Sequence, residues 1–153
     1  MTHADRAEQL FRQGYNCAQS VFGAFADDLG IPLAQATNAA SAFGAGFGKL
    51  REICGAVCSM TLLAGILKGY NDPADRAEKK RVYALEQALA AQFKAKHGTL
   101  VCRELLGLKP GEDSPEPAVR TEEYYASRPC IGVIRTAAEI VERELLGATN
   151  TAP

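Results

Sequence analysis

The sequence predicts an all-α protein: a single compact helical bundle of about five to seven helices, with a glycine-rich loop before a buried central helix. Glycine and proline punctuate the chain at intervals that suit helices. Apolar residues recur at helical spacing, and β-branched runs with strict alternation are missing. The 153 residues are 47% hydrophobic and 23% charged, the make-up of a soluble chain with a packed core rather than of a disordered one. One domain is expected over 1–146, stable without a metal to hold it, followed by a frayed, disordered tail over 147–153.

The elements follow in order. Ala7, Leu10 and Phe11 lie at helical spacing between Ala4 and Gln13, and Gly14 stops that helix. Asn16 is a preferred N-cap, and Ala18, Val21, Phe22 and Phe25 then form one apolar face before Asp27-Asp28-Leu29-Gly30 closes the segment. Pro32 suits the first turn of a third helix reaching Phe43. Gly44-Ala45-Gly46-Phe47-Gly48 reads as a loop, since three glycines in five residues imply a tight turn or a close backbone approach. Cys54 to Lys68 is apolar on nearly every face, as in the central helix of a bundle, with Gly65 expected to admit a close neighbour and Gly69 to end it. Asp72-Pro73 reads as a cap followed by the first helical residue of a helix to His97, with Val82, Leu85, Leu89 and Phe93 as its stripe. A short helix over 101–106, a Pro/Gly/acidic loop over 109–117, a short segment from Thr121 and a last helix over 130–146 complete the chain.

The five cysteines, Cys17, Cys54, Cys58, Cys102 and Cys130, hold most of the functional information. No Cys-x-x-Cys occurs, so zinc-ribbon, ferredoxin-type, thioredoxin-like and haem-attachment spacings are unsupported. Cys17 follows the cap Asn16, Cys54 follows the glycine loop, Cys102 lies three residues after Thr99, and Cys130 follows Pro129. All four thus fall in or beside a first helical turn, where unpaired N–H groups and the helix dipole favour a thiolate and lower its pKa. Lys49 and Arg51 near Cys54, Arg103 beside Cys102 and Arg128 near Cys130 push the same way, against Glu52 and Glu104. Such helix starts pointing at one spot would suit several thiolates or an anionic cluster held by them. Cys58 lies one turn after Cys54 in an apolar run, which favours packing over ligation. Gly44, Gly46, Gly48 and Gly55 are expected to bring bare backbone N–H groups close to sulfur, as a nest does for an anion.

Other chemistries find little support. Seventeen basic and eighteen acidic residues give a net charge of −1, so neither nucleic acid nor an anionic membrane is expected as partner. The apolar run 53–67 is too short to span a bilayer, and the charged start lacks a secretory pattern, so a cytoplasmic protein without membrane insertion is expected. A Walker loop would need glycine at 43 and Ser or Thr at 50, where Phe43 and Leu50 stand. His97 suits the C-terminal dipole of its helix, and nothing directs it or His3 toward a cysteine for hydrolase chemistry. Tyr124-Tyr125 and Phe43/Phe47 read as core or as cover for the cysteines.

Several segments in order resemble the redox-active family named for its motif, C_GCAxxG_C_C. They are Asn16-Cys17-Ala18-Gln19-Ser20-Val21, Phe43 to Gly48 leading into Cys54-Gly55-Ala56-Val57-Cys58-Ser59, Cys102-Arg103-Glu104-Leu105-Leu106-Gly107, and Cys130 before Ala137-Ala138-Glu139-Ile140. The resemblance spans about residues 10–146, and departs from the motif where Ser59 replaces a glycine and Cys58 adds a fifth thiol. It implies a helical redox or metal-binding protein, and the occurrence of related domains beside cytochromes favours an iron–sulfur cluster by analogy.

Three function classes follow. In the first, Cys17, Cys54, Cys102 and Cys130, with Cys58 as a further candidate, bind an iron–sulfur cluster for electron transfer or redox sensing. In the second, a subset of these thiols works as a metal-free thiol–disulfide oxidoreductase. In the third, zinc stabilises a non-catalytic helical module. The partner expected is an unidentified redox protein, with a homodimer as the self-association to test.

Overall fold

Capping chemistry fixes the first two helices. In α1 (His3–Arg12), the Thr2 hydroxyl accepts the Asp5 N–H, and the Asp5 carboxylate accepts the Thr2 N–H in return. Asn16 and Gln19 make the same reciprocal pair for α2 (Cys17–Gly23). In this computed structural model, which describes residues 1–111 and 114–147, the chain continues with α3 (Ala26–Leu29), α4 (Leu33–Ala40) and a 3₁₀ turn at Ser41–Phe43. Then come α5 (Gly55–Lys68), α6 (Arg76–His97), α7 (Cys102–Leu106), α8 (Glu122–Ser127) and α9 (Cys130–Val141), which runs on as a π turn over Glu142–Gly147. The fold is all-α, and the elements beyond the expected number are helices of one or two turns. Apart from Gly147, which ends the π turn, the tail lies outside the described residues.

Helix α5 packs against α2, α6 and α9, and α1 packs against α2 and α9. Phe11, Phe25, Met60, Leu63, Leu89, Phe93, Ile134 and Val141 fill the shared interior. Ser59, fully buried on α5, donates its hydroxyl to the Ala18 carbonyl at 2.6 Å, so the serine at the motif's glycine position ties α5 to α2 just behind Cys17. His97 joins α6 to α9 through a 2.8 Å hydrogen bond between Nε2 and Thr136 Oγ1, and burial pushes its pKa down. That contact accounts for the side chain better than the dipole alone.

Three local expectations are corrected. Asp72 accepts the Ala74 N–H at 2.9 Å in a side-chain turn, which competes with helix propagation, and Asp75 caps α6 instead through the Glu78 N–H at 3.0 Å. Pro32 stands at the cap of α4 rather than inside its first turn. A Cβ at Gly65 would meet nothing within 4 Å, so no neighbour packs there.

His3 closes the bundle at the end away from the cysteine-bearing helix starts. Its ring stacks on Phe25 at 4.2 Å between centroids, with Nδ1 2.5 Å from Glu142 Oε1 and Nε2 2.7 Å from Asp28 Oδ2. Burial opposes the charged ring, but the bonds to the two carboxylates outweigh it and the pKa is raised above 6.5. A raised folded pKa means that the clamp's stability is fully present below the unfolded pKa and is lost as pH rises through the folded one. The melting temperature should therefore fall from pH 6 to pH 8 more steeply in the native chain than in His3→Asn. A second test concerns Gly65: alanine at this exposed helix-interior position should raise stability by ~0.5–1 kcal/mol, read from denaturant unfolding.

Candidate functional site

Four cysteines stand at four helix starts. Cys17 is the first residue of α2, Cys54 caps α5, Cys102 opens α7 and Cys130 opens α9. All four line one cavity of about 370 Å³. Cys58, one turn into α5, is buried outside those walls with its sulfur 3.7 Å from the Ile53 carbonyl.

Two local features bring the thiols together. The segment before α5 pairs with the segment before α7: Cys54 N–H donates to Leu100 O at 2.8 Å, Cys102 N–H to Glu52 O at 2.6 Å, and Ile53 faces Val101 in an antiparallel bridge. This places the starts of α5 and α7 side by side across 48 residues of sequence. The second feature is Gly55, where a Cβ would stand 2.5 Å from Cys17 Sγ and 2.9 Å from the Phe43 carbonyl. Only a residue without a side chain lets the first turn of α5 press on Cys17.

Residues 44–51 wrap the cavity in an unusual backbone. Ala45, Gly46, Phe47, Gly48, Lys49 and Arg51 all have φ between 56° and 76°. Left-handed geometry costs a non-glycine residue roughly 1–2 kcal/mol, and four of these six carry side chains. The backbone N–H groups of Phe47, Lys49, Leu50, Arg51 and Glu52 donate to carbonyls within residues 43–47, which holds the loop in shape. Gly46 presses on Cys102, whose Cβ would lie 2.7 Å from an added methyl; Gly44, Gly48 and Gly55 line the cavity. Of the four glycines expected near sulfur, Gly46 thus lies behind the wall and supports it.

The backbone N–H groups of Ala45, Ala18 and Gly55 point at the Cys17 sulfur, and those of Val57 and Ala56 at Cys54. The expected depression of the thiol pKa does not follow at Cys17, Cys54 or Cys130. Burial comes first and pushes Cys17 and Cys54 up, Cys130 to about 11 and Cys58 to about 12, with neighbouring cysteines adding like-charge repulsion. The basic residues are also arranged differently from the sequence reading. Arg51, 6% exposed, donates from Nη1 to Cys102 Sγ at 3.7 Å rather than serving Cys54. Lys49 donates to the Glu116 carbonyl, Arg103 to those of Lys109 and Leu50, and Arg128 lies over the Tyr124 ring. Arg120, packed between Phe11 and Tyr124, donates to the Phe11 and Tyr15 carbonyls and closes the wall near α1. Among the described residues, no three His, Cys, Asp or Glu side chains converge closely enough to hold a metal ion.

An all-α bundle with four cysteines around a glycine-lined cavity defines a helical cysteine-site protein. The family model described as "Putative redox-active protein (C_GCAxxG_C_C)" matches residues 15–144, and the chain belongs to that family. No curated protein and no solved structure matches it. No helix among the described residues is long and apolar enough to cross a membrane.

Sequence reasoning found the four thiols but missed the buried Arg51 and the Ile53–Val101 bridge. A single apolar pair is too short a signal for strand pairing, and an arginine next to a loop ordinarily points to water. The Gly55 contact yields a direct test. Gly55→Ala overpacks the α5–Cys17 contact and should destabilise the protein by ~1–3 kcal/mol in denaturant unfolding, the opposite sign to Gly65→Ala.

Proposed function

We propose that this redox-active protein binds an iron–sulfur cluster through Cys17, Cys54, Cys102 and Cys130, and uses it for electron transfer or redox sensing. The observation that carries the reading is the convergence of four thiols, each from a different helix start, on one cavity. Four cysteine sulfurs are the donor set that iron–sulfur clusters take, and N–H groups directed at the sulfurs, as at Cys17, tune such a centre. The four cysteines line a cavity of about 370 Å³, room for a group of several atoms and more than the closed tetrahedron of a lone zinc ion takes. A bound cluster would supply one-electron chemistry. The chain's own contribution is to hold the sulfurs on rigid helix starts, cover them with Phe11, Tyr124 and Val133, and limit water at the cavity.

Metal-free thiol exchange is the weaker reading, because the attacking group must be a thiolate and burial holds Cys17, Cys54 and Cys130 protonated at neutral pH. Cys58 stands outside the cavity and serves packing.

Protein purified without oxygen should contain iron and acid-labile sulfide and absorb visible light. Cys54→Ser, Cys17→Ser, Cys102→Ser and Cys130→Ser should each lose most of the iron, whereas Cys58→Ser should keep it. A colourless, iron-free native protein would overturn the reading, and stoichiometric zinc in its place would favour the zinc module. Loss of iron from Cys58→Ser equal to that from Cys54→Ser would make the fifth thiol a ligand.

A further inference from the structure

We propose that the cavity is a binding site for a polyatomic anion, with Arg51 as its buried donor. An arginine only 6% exposed as a residue should have a carboxylate beside it, since an unpaired buried charge is among the most costly groups a fold can carry. Arg12, Arg81, Arg135 and Arg143 all have such partners, and Arg51 has none among the described residues. Among the described residues, its Nη1 meets the Cys102 sulfur and its Nε is enclosed without an acceptor.

The surroundings make the imbalance larger. Lys49, Arg120 and Arg128 also line the cavity, and no described aspartate or glutamate does. Four cations therefore gather at one concavity of a chain whose net charge is −1. Lys49 and Arg120 are held by backbone carbonyls and Arg128 by an aromatic face, neutral partners that fix the positive groups in place without cancelling them. Arg51 is also held there: its N–H donates to Ala45 O at 3.3 Å and its carbonyl accepts the Arg103 N–H at 3.2 Å. Charge arranged in this way is completed by a ligand of opposite sign.

Two sources share that chemistry. One is a free oxyanion small enough for about 370 Å³, such as thiosulfate or sulfate. The other is the negatively charged assembly that thiolates would form with a bound cluster. The proposal goes beyond the iron–sulfur reading because it stands on the cations, and the free-anion arm holds if that reading fails.

The first arm titrates reduced, metal-free protein with sodium thiosulfate and with sodium sulfate in a calorimeter, with ionic strength held constant by chloride. A free-anion site should give saturable binding that weakens about tenfold or more in Arg51→Gln, which is about 1.4 kcal/mol, and recovers partly in Arg51→Lys. The second arm follows iron release to a chelator from anaerobically prepared protein. If the cluster assembly is the anion, Arg51→Gln should release iron about tenfold faster, again with partial recovery in Arg51→Lys. Removing an uncompensated buried charge should also leave the melting temperature of the metal-free variant equal to or above that of the native protein. Arg128→Gln, at the rim, should weaken whichever process Arg51→Gln affects by roughly threefold, and decides the matter if Arg51→Gln does not fold. Identical behaviour of native protein, Arg51→Gln and Arg128→Gln in both arms would overturn the proposal. So would an Arg51→Gln variant that melts lower and binds as before, which would mark Arg51 as structural only.

Discussion

The close approach of the first turn of α5 to the Cys17 thiol is the contact on which the site depends. Gly55 permits it, Ser59 fixes it one turn later through the Ala18 carbonyl, and the α2–α5 packing continues from it. With α5 so placed, the pairing of Ile53 with Val101 determines where α7 begins, and Cys102 joins Cys54 and Cys17 at one cavity. Helix α9, packed on α1, α2 and α5, brings Cys130 from the remaining side. The four thiols are thus neighbours through tertiary packing alone, which is why no short cysteine spacing announces them.

Burial and helix-start electrostatics act on these thiols in opposite directions, and magnitudes decide between them. A helix N-terminus contributes typically about 0.3–1 kcal/mol to an anion, and α2 and α7 have only 7 and 5 residues. Burial, with repulsion from Cys17 and Cys102 added to it, pushes Cys130 up to about 11, against whatever the start of α9 contributes to the thiolate. Desolvation wins at Cys17, Cys54 and Cys130, so helix starts alone do not make these three cysteines reactive. A positively charged occupant bonded to the sulfurs would reverse the balance, because thiolate ligation supplies directly what the dipoles supply weakly.

The parts of the fold legible in the sequence are those decided locally. Asn16 and Gln19, Thr121, Gly98 and the apolar run over 54–68 each act within a few residues, and the helices fall where these signals place them. Asp72 and Asp75 show the limit of such reasoning: both can cap, and the chain resolves the choice by folding Asp72 into a turn three residues before the α6 cap. The four helix-start cysteines were legible for the same local reason, while Arg51 was not. Its burial depends on a left-handed loop and on the α7 segment across from it, neither of which leaves a periodic trace in the sequence.

Local rules are otherwise well kept in this chain: its first helices are boxed at the cap, most of its arginines find carboxylates or carbonyls, and its core is apolar. The exceptions cluster. Left-handed Ala45, Lys49 and Arg51, the buried Arg51 guanidinium with no counter-charge among the described residues, and four cysteines all belong to the walls of one cavity. Each is unfavourable taken by itself, and strain of this kind persists only where the surrounding fold over-determines it. The rigid α2–α5–α9 packing provides that constraint. The unfavourable terms share a remedy as well, since a positively charged core bonded to the four thiolates would form an assembly that is negative overall, and so would satisfy the thiols, Arg51 and the cationic rim together.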